Sequence, residues 1–153
     1  MFLYGLVLFV YISFLSGVIY FDLRYYKIPD WMTLPAIVLF ILYCILKNCE
    51  LWDIIIRIAS SGGMLLIVGF LISFLLKKDT IGGGDIKLIT AVGLYKGWQE
   101  ALLIIFLGSF SALISTLVLV ILKKQKMDEN IPFGFYVAVS GIFYEGIIMV
   151  RGM

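Results

Sequence analysis

Asp22 and Asp85 are the residues of this 153-residue chain best suited by type and place to do chemistry. Asp22 follows a long apolar run, at a helix C-terminus where the macrodipole disfavours a negative charge, so a purely structural role predicts Lys or Arg instead. Arg24 or Lys27 could offset it. Asp85 opens a helical run and could serve simply as its N-cap. A carboxylate pair sharing one proton can do more: one member ionised as general base toward a water, the other protonated as general acid toward a carbonyl. The chain contains no histidine. That removes the Ser-His-Asp triad, His-ligated zinc and the HExxH helix, and leaves carboxylates, hydroxyls, lysines and two cysteines. Cys44 and Cys49 lack the second pair of a zinc tetrad and read as buried or free thiols.

Gly82-Gly83-Gly84 immediately precedes Asp85. Three glycines in a row are poor helix formers, so the backbone there needs either dihedrals closed to other residues or close approach by a substrate strand. A phosphate-binding loop is disfavoured, since no Gly-Lys-Ser/Thr ending follows. Lys87 could hold a carboxylate or reach lipid phosphates, with snorkelling as the plainer role. Asp30 reads as a helix cap, Asp79 as a loop charge, and Asp128 and Glu129 as a solvated loop. Glu145 falls in the last apolar run, at the depth of Arg57, with which it could pair.

These residues hang on membrane helices. With 63% hydrophobic residues, 14% charged and a mean hydropathy of +1.10, the chain is read as a polytopic membrane protein. A hydrocarbon core of roughly 30 Å needs about 20 apolar residues per helix, which allows about six transmembrane helices and little else. The fold expected is an all-α helix bundle forming one transmembrane domain over residues 1–153. Apolar runs place helices at 2–21, 31–46, 54–76, 86–95, 101–122 and 133–150. The first has no basic residue ahead of it and no A-x-A-like exit, so it reads as retained rather than as a signal peptide. Pro29 ends helical character ahead of the second run, and Pro132 fits the first turn of the last. The fourth run would be only about 15 Å long. If it crosses and the N-terminus is outside, Arg24, Lys27, Lys77, Lys78, Lys87, Lys123, Lys124 and Lys126 all lie inside, as the positive-inside rule asks. Lys47, Arg57, Lys96 and Arg151 then lie outside. Small residues four apart (Ser13 with Gly17, Gly93 with Gly97, Gly108 with Ala112, Gly134 with Ala138) allow close helix approach. A net charge of +2 gives no reason to expect nucleic-acid binding.

In this topology Asp22 and Asp85 share one membrane face. Asp22-x6-Pro29-Asp30, Gly82-x-Gly84-Asp85-x-Lys87-Leu88 and Pro132-Phe133-Gly134, in that order, resemble the signature of type IV prepilin peptidases, the GxGD class of membrane aspartic proteases. The resemblance covers nearly the whole chain. It implies that Asp22 and Asp85 are the catalytic pair and that Gly82, Gly83, Gly84, Lys87, Pro29, Asp30, Pro132, Phe133 and Gly134 shape the site. It further implies a prepilin-like substrate cut on the cytoplasmic side of the inner membrane, ahead of its hydrophobic helix, with no metal or other cofactor. The size resembles the short peptidases of Flp/Tad-type pilus systems. The zinc domain and methyltransferase half of longer members have no counterpart in the sequence, so methylation is not expected. Phe135 stands where many members have a second proline. The helix-end positions predict that Asp85, at an N-terminus, is the more acidic of the pair and Asp22 the more readily protonated. Two other readings stand beside it: a small ion- or proton-coupled transporter using the same carboxylates and Glu145, and a non-catalytic membrane subunit of a pilus or secretion machine in which the glycines serve packing.

Overall fold

The computed structural model describes residues 2–77, 82–122 and 131–151. Lys78, Asp79, Lys123, Lys124, Lys126, Asp128 and Glu129, assigned to loops above, lie outside the described residues. Among the described residues there are six helices: α1 (Phe2–Tyr25), α2 (Asp30–Leu46), α3 (Leu51–Ile58, a π-helical turn Ala59–Gly63, then Met64–Leu76), α4 (Gly83–Lys96), α5 (Trp98–Ile121) and α6 (Phe133–Arg151). The expected all-α membrane bundle is what forms. Among the described residues α1, α3, α5 and α6 are long and apolar enough to cross a membrane. α2 is apolar but shorter, at 17 residues, and α4 has 14, about 21 Å at 1.5 Å per residue.

Several boundaries differ from those the apolar runs suggest. α1 continues through Asp22 to Tyr25, where Tyr26 turns left-handed (φ 51°) and donates its N–H to the Asp22 carbonyl at 3.0 Å. α4 starts at Gly83 rather than after Asp85. The first N–H groups of a helix have no intrahelical partner, so glycines there cost less than in a helix interior. α4 ends at Gly97, whose φ of +101° is poorly open to L side chains. Pro132 stands just ahead of α6 rather than within its first turn.

α4 is the hub. Its Leu88, Ile89, Ala91, Val92 and Leu94 are fully buried, packed by α2, α5 and the π-helical turn of α3. A helix apolar on every side belongs at the centre of a bundle. The π turn meets it through small residues: a Cβ on Gly93 would lie 2.6 Å from Ser61 Cβ and 3.1 Å from the Arg57 carbonyl. Likewise a Cβ on Gly108 of α5 would stand 2.9 Å from Val137 Cα of α6. These are the close approaches anticipated for Gly93 and Gly108, where lipid supplies no hydrophobic drive. Gly97 serves the turn instead, and Ser13 is exposed. Cys44 and Cys49 are free, and the Cys44 thiol donates to the Leu94 carbonyl at 3.2 Å.

The end of the bundle away from Asp22 is tied by charge. Lys96 Nζ lies 2.6 Å from Glu145 Oε1, with side chains only 7% and 2% exposed. Glu145 thus pairs with Lys96 and not with Arg57, because residues at one depth can still face different neighbours. The Arg57 guanidinium instead donates to the Leu94 carbonyl at 3.0 Å, covering the C-terminal turn of α4.

Candidate active site

At the opposite end, the last turn of α1, the connection 26–29 and the first turns of α4 and α6 enclose a cavity of about 400 Å³. Asp22 and Asp85 both line it, with Gly82, Gly83, Gly84, Ile28 and Phe133. The two aspartates separated by most of the sequence therefore face one space.

Asp22 is buried, at 5% exposed, and its Oδ2 accepts the Phe135 N–H at 2.8 Å. That donor is one of the unpaired N–H groups of the first turn of α6, turned to a carboxylate in place of water. A proline at 135 would have no N–H to give. Gly134 makes the approach possible: a Cβ there would lie 3.2 Å from Asp22 Oδ2 and 2.7 Å from Ile28 Cδ1.

Asp85 is the third residue of α4 and not its N-cap; Gly82, extended at φ −70° and ψ 136°, takes that position. A backbone N–H steadies the charged form of Asp22, a contact that the helix-end argument for Asp85 as the more acidic residue did not include. The pair is coupled, so its titration belongs to both residues.

The three glycines divide their work. A Cβ on Gly82 would touch Asp85 Oδ2 at 3.2 Å. One on Gly84 would crowd the Ile28 Cβ at 3.1 Å and its carbonyl at 3.2 Å, whereas one on Gly83 would meet nothing within 4 Å. All φ angles here are ordinary, so unusual dihedrals are not the reason for the glycines. Close approach is, and at Gly84 the approaching strand is the chain's own.

Beside the cavity, Lys87 Nζ lies 2.6 Å from Asp30 Oδ1. Lys87 does hold a carboxylate, that of Asp30 and not of Asp85. Asp30 is the first residue of α2 and makes no cap bond; Pro29 occupies the N-cap position. Ile28 and the Phe135 N–H were missed by sequence reasoning. The only signal for Ile28 is a lone aliphatic in a polar stretch, and a backbone donor leaves none. Among the described residues no three acidic or cysteine side chains gather as metal ligands would.

Fold and site together define a multi-pass helical membrane protein with two aspartates facing one end cavity. The model of the Type IV leader peptidase family matches residues 9–117, and the chain belongs to that family. It is 30% identical over 128 residues to a prepilin leader peptidase/N-methyltransferase of Aeromonas salmonicida (strain A449), covering 83% of this chain and 44% of the relative. A protein of the same name from Xanthomonas campestris pv. campestris is 30% identical over 156 residues, covering 97% and 52%. The one from Escherichia coli (strain K12) is 26% identical over 142 residues, covering 92% and 63%. The chain thus spans about half the length of the curated relatives it matches. No solved structure matches it.

Proposed function

We propose that this protein is a membrane aspartic endopeptidase that removes the leader peptide of prepilin-like substrates, with Asp22 and Asp85 as its catalytic pair. The observation carrying this reading is that both carboxylates line one cavity, in a chain of the leader peptidase family. A water held between them attacks the scissile carbonyl. Asp22, braced by the Phe135 N–H, is the ionised member and takes the water's proton. Asp85, the other member of the pair, supplies a proton to the carbonyl oxygen as the tetrahedral diol forms. Collapse of the diol breaks the C–N bond as the proton taken up by Asp22 passes to the leaving amine and a diol hydroxyl returns its proton to Asp85, which restores both carboxyls to their starting states. The glycine turn keeps side chains out of the space a substrate backbone must enter. N-methylation is not carried over from the relatives' names.

The site faces the cytoplasm in this reading. Arg24, Lys27, Lys77 and Lys87 gather at the site end of the chain's up-and-down path, which the positive-inside rule assigns to the inner side of the inner membrane. The N-terminus is then outside. The test is co-expression with a candidate prepilin, comparing the wild type with Asp22→Asn and Asp85→Asn by the mobility shift on leader removal. Cleavage by the wild type alone is expected. Processing by either variant at the wild-type rate rejects the dyad, and a transporter would leave the precursor uncut in all three.

A further inference from the structure

The two aspartates are carried by α1 and α4, whose backbones approach each other little and which stack Tyr11 on Tyr95 at 4.4 Å about three turns away from the carboxylates. Something else must set the gap between the carboxylates. Ile28 is in position to do so. It is 8% exposed although its neighbours in the chain are polar. Its Cβ and carbonyl fill the space where a Gly84 side chain would be, at 3.1 and 3.2 Å. Its Cδ1 fills the space beside Gly134, 2.7 Å from where that Cβ would stand. Gly84 immediately precedes Asp85. Gly134 rests against Asp22 and immediately precedes the residue whose N–H holds it. One side chain thus reaches from the first turn of α4 to the first turn of α6, each within one residue of a carboxylate or its brace. The left-handed turn at Tyr26 and the extended backbone at Pro29 (φ −73°, ψ 141°) direct Ile28 inward.

We propose that Ile28 is a positioning residue, a spacer between α4 and α6 that fixes the separation of Asp22 and Asp85. Its catalytic consequence rests on the peptidase reading; the geometry does not. Both are tested on the full chain in detergent. In a Cys44→Ala/Cys49→Ala background carrying Asp22→Cys and Asp85→Cys, the rate of oxidative cross-linking is compared with and without Ile28→Ala. A change of about tenfold is expected, since thiol pairing is sensitive to sub-ångström placement. An unchanged rate overturns the spacer whatever the protein's activity.

The second arm measures cleavage of a prepilin peptide. Ile28→Ala is expected to lower kcat about 10- to 100-fold with KM within about twofold, the effect of misplacing reacting groups by up to about 1 Å. Gly134→Ala, which drives a methyl into Ile28 Cδ1, is expected to lower kcat about tenfold by the same misplacement. Ile28→Val removes that Cδ1, so the double variant Ile28→Val/Gly134→Ala should regain the part of the loss due to Ile28, leaving only that due to the methyl's 3.2 Å approach to Asp22 Oδ2. A residue that only fills the core would change thermal stability, leave kcat per folded molecule intact and give no such recovery. Wild-type kcat in Ile28→Ala, or no recovery in the double variant, overturns the proposal. A wild type that leaves the peptide uncut overturns the peptidase reading alone, and the cross-linking rate still decides the spacer.

Discussion

Gly83 and Gly84 are adjacent glycines in one helical turn, and alanine should be harmful at Gly84 and nearly neutral at Gly83. At Gly84 the new methyl would lie 3.1 Å from Ile28 Cβ and 3.2 Å from the Ile28 carbonyl, against 3.4–4 Å for ordinary contact. The obstacle includes backbone, which cannot rotate away, so the α4 terminus must move by a few tenths of an ångström. Overpacking of this kind costs about 1–3 kcal/mol. The gain in helix propensity from Gly to Ala is at most about 1 kcal/mol, and less in a first turn. Strain therefore wins. Asp85 is the next residue and moves with its neighbour; since an error of about 1 Å costs on the order of 100-fold, a shift of a few tenths should lower kcat about tenfold. At Gly83 a methyl meets nothing, so Gly83→Ala should keep stability and kcat within about twofold on the same propensity argument. Cleavage of a prepilin peptide by the two purified variants, with thermal melts, tests the contrast. Wild-type kcat and melting in Gly84→Ala, or equal losses in both, would refute the reasoning.

The remaining predictions follow from neighbouring features. As the acid of the pair Asp85 acts only while protonated, so cleavage should fall at high pH, by about tenfold per unit once the acid is ionised; a flat rate up to pH 9 would remove Asp85 as the acid. Lys96→Ala leaves Glu145 buried and unpaired and should destabilise the protein by about 3–5 kcal/mol, with cleavage per folded molecule unchanged; chemical denaturation and kinetics check the two parts. Lys87→Ala breaks a pair whose side chains are 34% and 62% exposed, so its effect on stability should stay below about 1 kcal/mol, measured in the same way.

How much of this was legible follows from what each signal encodes. Uninterrupted apolar runs placed all six helices, because hydropathy decides which segments enter lipid. They misplaced the ends of α1 and α4, because the last and first turns carry polar residues or glycines for reasons of the site. Asp22 and Asp85 were legible as carboxylates stranded at helix ends. Their surroundings were not: the Phe135 donor is backbone, and Ile28 has no chemistry of its own to point to. Glu145 was placed at the right depth and given the wrong partner, since sequence spacing fixes height along a helix more readily than which neighbouring helix a side chain faces.

The distribution of polar groups along the bundle weighs between the readings of the carboxylates. One charged group, Asp22 with Asp85, stands at one end, and another, Lys96 with Glu145, at the other. Between them, on α1, α4 and α6, lie Leu15, Val18, Leu88, Ile89, Val92 and Val137, all fully buried. Among the described residues the buried Ser and Thr side chains, Thr33, Ser61 and Ser140, are single hydroxyls. A transporter needs a relay of ionisable or water-lined groups through its core, because an ion without such partners is costly in hydrocarbon. A peptidase needs only a wet pocket at one end and a rigid apolar frame to hold two carboxylates in place. The second requirement is the one this packing meets: fully buried residues on α4 fix the helix that carries Asp85, and the Lys96–Glu145 pair anchors its far terminus against α6, whose first turn braces Asp22.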